Sequence, residues 1–249
     1  GGAPTNDAAE AYLLLTESTV ESDDGVAADR IASVVSHDLR NPLDVANAHL
    51  RAARETGGEE HFDAVGRAHD RMERIIRDVL TLARGENALA VDTDVDVERV
   101  ATDAWATVDT GDADLSVAPD LPTIDADPDR LQRLFENLFR NSVEHARPDG
   151  HRTGAGDADA VRESDRPLQV RVGETPGGFF VADDGVGIPE RERERVFDPG
   201  YSSNRNGDGT GLGLTIVERI AVAHDWSVSV ATSAGDGARF EFESGSDDD

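Results

Sequence analysis

The chain has 249 residues, 37% of them hydrophobic, and a formal net charge of −28 from 52 acidic and 24 basic residues, all of the latter Arg. That length accommodates one large domain or two small ones, while a charge of this sign repels nucleic acid and anionic lipid, whose recognition needs cations. With no cysteine, disulfides and thiolate chemistry are excluded.

An acidic, Lys-free surface suits a cytoplasm at molar salt, where a Debye length of about 3 Å screens self-repulsion. Residues 1–25 read as an acidic linker or disordered tail. The run Tyr12–Leu15 (YLLL) is far short of the ~20 residues that span a bilayer. No signal peptide is visible. The Gly-Gly start reads as a fragment, a cytoplasmic portion whose only membrane link would be an unseen upstream segment.

From Ile31 the apolar positions Val35, Leu39, Leu43, Ala46, Leu50 and Ala53 recur in steps of three and four, which predicts an amphipathic helix. Thr56–Gly58 ends it. A second helix carries one stripe through Phe62, Val65, Met72, Ile76, Val79 and Ala83, and a parallel one through Ala68, Ile75 and Leu82. Two helices cannot bury faces this wide against each other, so a symmetric dimer forming a four-helix bundle is expected. The hairpin is placed at residues 26–86, and Ala83–Asp94 reads as a linker.

Beyond it, over residues 92–244, short strands and helices alternate as in an α/β sandwich. Asp127 and Pro128 give the N-cap and first position of a helix. Residues 147–166 are polar and Gly-containing, a flexible insert. "LQVRV" and "GFFVADD" read as strands, "GTGLGLTIVERIAVAHD" as a Gly-rich turn entering a helix, and "WSVSVATSAGDGARFEFE" as a closing hairpin. Residues 245–249 form an acidic tail.

Four stretches carry chemistry. In "SHDLRNPL", His37 sits two residues from both Val35 and Leu39, about 200° around the helix from the apolar seam, and so points to solvent. Asp38 beside it can orient the imidazole and leave one ring nitrogen nucleophilic. Pro42 cannot bond to the carbonyl of Asp38 and is expected to kink the helix there. Asn41 shares the face of His37. A plain surface histidine would look the same. In "NLFRN", Asn137 and Asn141 share a helix face. Their amide oxygens suit Mg²⁺, although a solvent-facing pair is the simpler reading. In "DDGVGIP", Asp183 follows a strand and can accept from an exocyclic amine such as that of adenine, with Gly185 and Gly187 allowing close backbone approach; a plain Gly-rich turn is the alternative. In "GDGTGLGLTIV", Gly207, Gly209, Gly211 and Gly213 alternate before an apolar helix, a phosphate-binding design that is neither a P-loop nor a dinucleotide fingerprint.

From about Ala28 to Phe242 the chain resembles the sensor histidine kinases. "SHDLRNPL" is similar to their phosphoacceptor box, "NLFRN" to the N box, "DDGVGI" to G1, "RVFDPG" to the F box and "GTGLGL" to G2. The acidic style resembles members from extreme halophiles. The resemblance implies an α+β fold: an antiparallel helical hairpin, a four-helix bundle as homodimer, followed by a Bergerat-type α/β sandwich. It implies ATP and Mg²⁺ as cofactors and a response regulator receiver domain as partner. His37 would be phosphorylated, Asp38 would act as base, and Asn41 would assist hydrolysis of the partner's phosphoaspartate. Asn141 would bind Mg²⁺ with Asn137 beside it. Asp183 would read adenine between Gly185 and Gly187. Gly209, Thr210, Gly211, Leu212 and Gly213 would line the phosphates, and Phe197 would anchor a lid over 197–210. Glu144 stands where many members carry Lys or Arg, and Arg140, His145 or Arg205 are the candidate substitutes. Two alternatives carry weight: an ATPase like the related chaperone and mismatch-repair enzymes, which place a Glu where Asn137 stands, and a degenerate nucleotide-binding scaffold.

Overall fold

A computed structural model describes residues 33–83, 89–119, 121–145, 166–201 and 211–245. The expectations on residues 1–25, on most of the 147–166 insert, and on Gly207, Arg205, Gly209 and Thr210 fall outside these residues, as does the side chain of His145. The chain divides into two compact units, Gly1–Arg77 and Asp78–Asp249.

The first unit holds helix α1, residues 33–56, and most of α2 (Glu59–Ala83). The helix α1 runs unbroken through Pro42. It ends where the Gly57 amide bonds to the Ala53 carbonyl at 2.8 Å, with Gly57 at φ 71°. That left-handed residue is the usual glycine C-cap. Side-chain size decides which faces meet. Ala46 and Ala53 of α1 are buried, as are Ala64, Ala68 and Ile75 of α2; small residues let two helices approach closely. Leu43, Leu50, Phe62, Ile76 and Leu80 stay exposed in the single chain. The stripe through Ala68, Ile75 and Leu82 is therefore the buried one, and the stripe through Phe62 and Ile76 is open.

The second unit is an α/β sandwich. Strand β1 (Asp92–Asp96) pairs antiparallel with β3 (Thr123–Ala126), so Asp92–Asp94, expected as linker, already belongs to this unit. The main sheet has the order β2-β4-β5-β7-β6. Its strands are β2 (Asp114–Val117), β4 (Gln169–Thr175), β5 (Gly178–Asp183), β6 (Trp226–Thr232) and β7 (Ala238–Ser244). Among its described pairings β2–β4 is parallel and the others are antiparallel. Strand β2 was not expected from the sequence.

Helices α3 (Val97–Thr107), α4 (Pro128–His145) and α5 (Gly213–Ala223) complete the unit, α4 contacting both of the others. The core forms where Phe135 and Phe139 of α4 meet Phe179 and Phe242 of the sheet, with Trp105 of α3 set edge-on to Phe139. All four phenylalanines are fully buried. Two caps fix the helix starts: the Asp96 carboxylate accepts the Arg99 amide, and Asp127 Oδ1 accepts those of Asp129 and Arg130. The other oxygen of Asp127 takes the Ala90 amide at 3.1 Å, tying the entry of the chain to the start of α4.

Candidate functional site

In the first unit the apolar seam turns His37 outward. Its side chain is 74% exposed, and Nδ1 lies 3.0 Å from the Asp38 carboxylate. Donation by Nδ1–H to that carboxylate leaves Nε2 with its lone pair facing solvent, the form a nucleophilic imidazole needs. Asn41 is exposed one turn on. Pro42 is buried and supplies no amide to the Asp38 carbonyl, but helical geometry persists on both sides of it.

In the second unit the site grows from the end of β5. Asp183 is 6% exposed. Its Oδ1 accepts the amides of Gly185 (3.0 Å) and Ala238 (3.1 Å), and its Oδ2 accepts the Ser142 hydroxyl at 3.0 Å. Burial pushes its pKa above the ordinary value, opposed by those three hydrogen bonds, while neighbouring Asp184 adds to the rise. The backbone of Asp183 is held from the other side. Ser233 Oγ donates to the Asp183 carbonyl at 2.6 Å and accepts the amides of Gly235 and Gly237. A Cβ on Gly237 would lie 2.2 Å from that carbonyl and 2.5 Å from Oδ1, so only glycine fits there. Gly187, at φ 69°, backs onto the same turn, 2.7 Å from the Asp236 carbonyl by the same measure. Its need for glycine is met by the protein's own packing.

Helix α4 brings the asparagines to this wall. Asn137 is 3% exposed, and its amide donates to the Arg133 carbonyl at 2.8 Å. Its Oδ1 faces Gly213, 3.3 Å from where a Cβ would stand. Asn141, one turn on, is half-exposed. The N-box helix and the glycine-rich start of α5 thus abut through Asn137 and Gly213. Leu212, just before them, is fully buried. Gly211, at φ 65°, lies against Gly200, whose amide bonds to the Gly211 carbonyl at 3.0 Å. This clasp closes the two ends of the stretch between residues 200 and 211. Below it Phe197 is buried, its carbonyl accepting the Thr215 hydroxyl at 2.9 Å.

These positions suit a purine nucleotide. A buried carboxylate at a strand end can accept from a donor on a base, and a helix start with free amides can attract phosphate. Among the described residues no group of three His, Asp or Glu can hold a metal alone. A magnesium ion on the Asn141 amide would take its remaining oxygens from phosphates and water, as that ion commonly does. Sequence reasoning missed Ser142, Ser233 and Thr215. Ser142 directly follows Asn141 in "NLFRNS" and was the one legible signal.

Comparison with known proteins matches two family models to the chain. The His Kinase A (phospho-acceptor) domain model matches residues 27–88, and the model for histidine kinase-, DNA gyrase B- and HSP90-like ATPases matches residues 126–245. Sensor histidine kinase ZraS of Klebsiella oxytoca is 31% identical over 92% of this chain and 48% of its own length. Adaptive-response sensory kinase SasA of Synechococcus sp. (strain JA-2-3B'a(2-13)) is 28% identical over 94% of this chain and 63% of its own. The chain thus spans about half to two thirds of these relatives. Among solved structures, Acinetobacter baumannii histidine kinase AdeS shares the fold, with a TM-score of 0.58 at 19% identity over 83% of this chain and 95% of that one. Full-length ShkA in complex with AMPPNP gives a TM-score of 0.53 at 26% identity over 86% of this chain and 45% of that one. A phosphoacceptor domain followed by an ATPase domain, with relatives aligned over more than nine-tenths of its residues, makes this chain a member of the sensor histidine kinase family.

Proposed function

We propose that the chain autophosphorylates His37 from ATP and passes the phosphoryl group to an aspartate of a response regulator receiver domain. The observation that carries this reading is the exposed His37 with Nδ1 held by Asp38. Nε2 attacks the γ-phosphorus in line, the bond from that phosphorus to the β–γ bridging oxygen breaks, and ADP leaves. Asp38 offsets the positive charge that the ring acquires and then accepts its Nδ1 proton. The receiver carboxylate then attacks the same phosphorus, the P–Nε2 bond breaks, and the proton returns from Asp38 to Nδ1, restoring the neutral imidazole. Positioning dominates such a reaction. Asp183 would orient the adenine, the amides around Gly211 and Gly213 the phosphates, and Asn141 would hold Mg²⁺, which supplies charge neutralisation when bound. Arg140, His145 or Arg205 would supply the cation that Glu144 does not.

An ATPase reading needs a base for water at position 137. Asn137 has no basic atom, and its amide is already bonded to the Arg133 carbonyl, which favours transfer to histidine. Asn41, exposed one turn from His37, would orient water for hydrolysis of the receiver's phosphoaspartate, a secondary phosphatase activity. The apolar stripe left open on the hairpin supports a homodimer through a four-helix bundle. No described helix is long and apolar enough to cross a membrane.

The test is incubation with γ-labelled ATP. The label is expected to be acid-labile and base-stable, and His37→Gln to abolish it while nucleotide affinity persists. Labelling that survives in the variant sinks the assignment.

A further inference from the structure

The Asp183 carboxylate is nearly saturated by the protein itself. An ionised carboxylate offers about four lone-pair sites. The Gly185 and Ala238 amides take both sites on Oδ1. The Ser142 hydroxyl takes one on Oδ2. Among the described residues one site remains, on the oxygen that Ser142 fixes. The backbone of Asp183 cannot shift to offer another, because Ser233 holds its carbonyl and the glycine turn at 235–237 closes behind it.

The geometry points to Ser142 as a positioning residue that makes Asp183 a reader of a single donor, selecting a purine with a 6-amino group over one with a 6-oxo group. This rests on the reading of Asp183 as the base-binding residue. Ser142 does not itself contact the base. Its hydroxyl is committed to Oδ2, so it acts by holding the carboxylate plane and keeping the group ionised. An ionised carboxylate can only accept, so it welcomes the amine of adenine and opposes the oxo group of hypoxanthine. Without Ser142, Oδ2 keeps two open sites, the carboxylate is held through Oδ1 alone, and the buried carboxyl is easier to protonate, which would let it donate to an oxo group. Ser142 is itself 3% exposed and lies on α4 beside Asn141; the helix that offers the metal amide therefore also tunes the base reader.

The experiment is displacement of a fluorescent ATP analogue from the full chain by ATP and by ITP, in wild type and in Ser142→Ala. Removing a hydrogen bond to a charged group is expected to weaken ATP about tenfold, with ITP changed less than about twofold, so the ATP:ITP ratio narrows. A hydroxyl that merely packs would weaken both nucleotides alike, and that outcome, or an unchanged ATP affinity, overturns the inference. Unfolding midpoints of both proteins check that the variant is folded; if it is not, Ser142→Gly and Ser142→Cys are read by the same ratio. A wild type that binds ATP and ITP equally removes the base-reading role of Asp183 itself, whereas an intact wild-type preference with an unaltered variant removes only the role of Ser142.

Discussion

A neutral imidazole is built into the second unit at His224. Its Nδ1–H donates to the Ile220 carbonyl at 2.7 Å, its Nε2 accepts the Asp127 amide at 3.0 Å, and its ring stacks on Trp226 with centroids 4.5 Å apart. Both nitrogens are used, so a second proton breaks the bond to Asp127, the N-cap of α4. Burial lowers the pKa of His224, against raising contributions from the Ile220 carbonyl, Asp127 and Asp225; nearby Arg130 lowers it further. The folded state therefore binds fewer protons than the unfolded one. Its contribution to stability is full above the unfolded value of about 6.5 and is lost as pH falls through the depressed folded value. The unfolding midpoint is expected to drop as pH falls below about 6.5, and His224→Gln to flatten that limb; an equal slope in both proteins refutes the assignment. Asp183 acts with the opposite sign. Its pKa is raised, so its contribution is greatest below the unfolded carboxyl value and fades as pH rises. At the phosphoacceptor, Asp38→Asn keeps shape and loses the base. General-base contributions run about 100- to 10,000-fold, so labelling of His37 should slow at least about 100-fold with nucleotide affinity unchanged; labelling at the wild-type rate would leave Asp38 without a catalytic part.

The α2 helix presents two stripes, and its sequence alone does not say which one faces α1. Phe62, Met72 and Ile76 make the more hydrophobic stripe. Burial instead favours Ala64, Ala68 and Ile75, because the partner helix offers small residues at Ala46 and Ala53. The choice is a property of two helices together. It leaves Phe62 and Ile76 exposed with Leu43 and Leu50, a patch that a second copy would cover. Ile76→Glu is expected to convert a dimer to a monomer by light scattering, leaving ATP affinity in place; a dimer that persists would move the interface elsewhere. The β6–β7 connection was legible as a turn, but its service to Asp183 was not. The bond from Ser233 spans 50 residues and that from Ser142 spans 41, and neither has a local signature. Strand β2 was missed for the same reason: its four residues pair in parallel with β4, across a long separation. Asp127, Pro128 and Asp183 were readable because capping and strand ends are local events. Gly237→Ala tests the turn. Its Cβ would meet backbone atoms that cannot yield cheaply. Overpacking of this kind costs about 1–3 kcal/mol, so the midpoint should fall by several degrees and ATP binding weaken with it. A variant with both properties unchanged would mean that the turn is free to move.

At the scale of the whole molecule, charge sets a balance that salt can tip. Ion pairs such as Arg133–Glu136 and Arg191–Glu192 lie at 3.2 Å, but partly exposed pairs are worth only about 0–1 kcal/mol each and weaken as salt rises. The 52 acidic residues outnumber the 24 basic ones, so even complete pairing would leave more than half of the carboxylates without a cation. Their mutual repulsion is the larger quantity, and it is worst in the compact state. Screening therefore removes more destabilisation than stabilisation. The unfolding midpoint is expected to rise with KCl, steeply at first, and to level off near 1 M, where the Debye length of about 3 Å is shorter than most charge separations. That shape separates screening from salting-out of apolar surface, which strengthens burial progressively as a salt is added. A midpoint that is flat or falls from low salt to molar KCl would mean that the ion pairs, rather than the unpaired carboxylates, dominate the electrostatics of this fold.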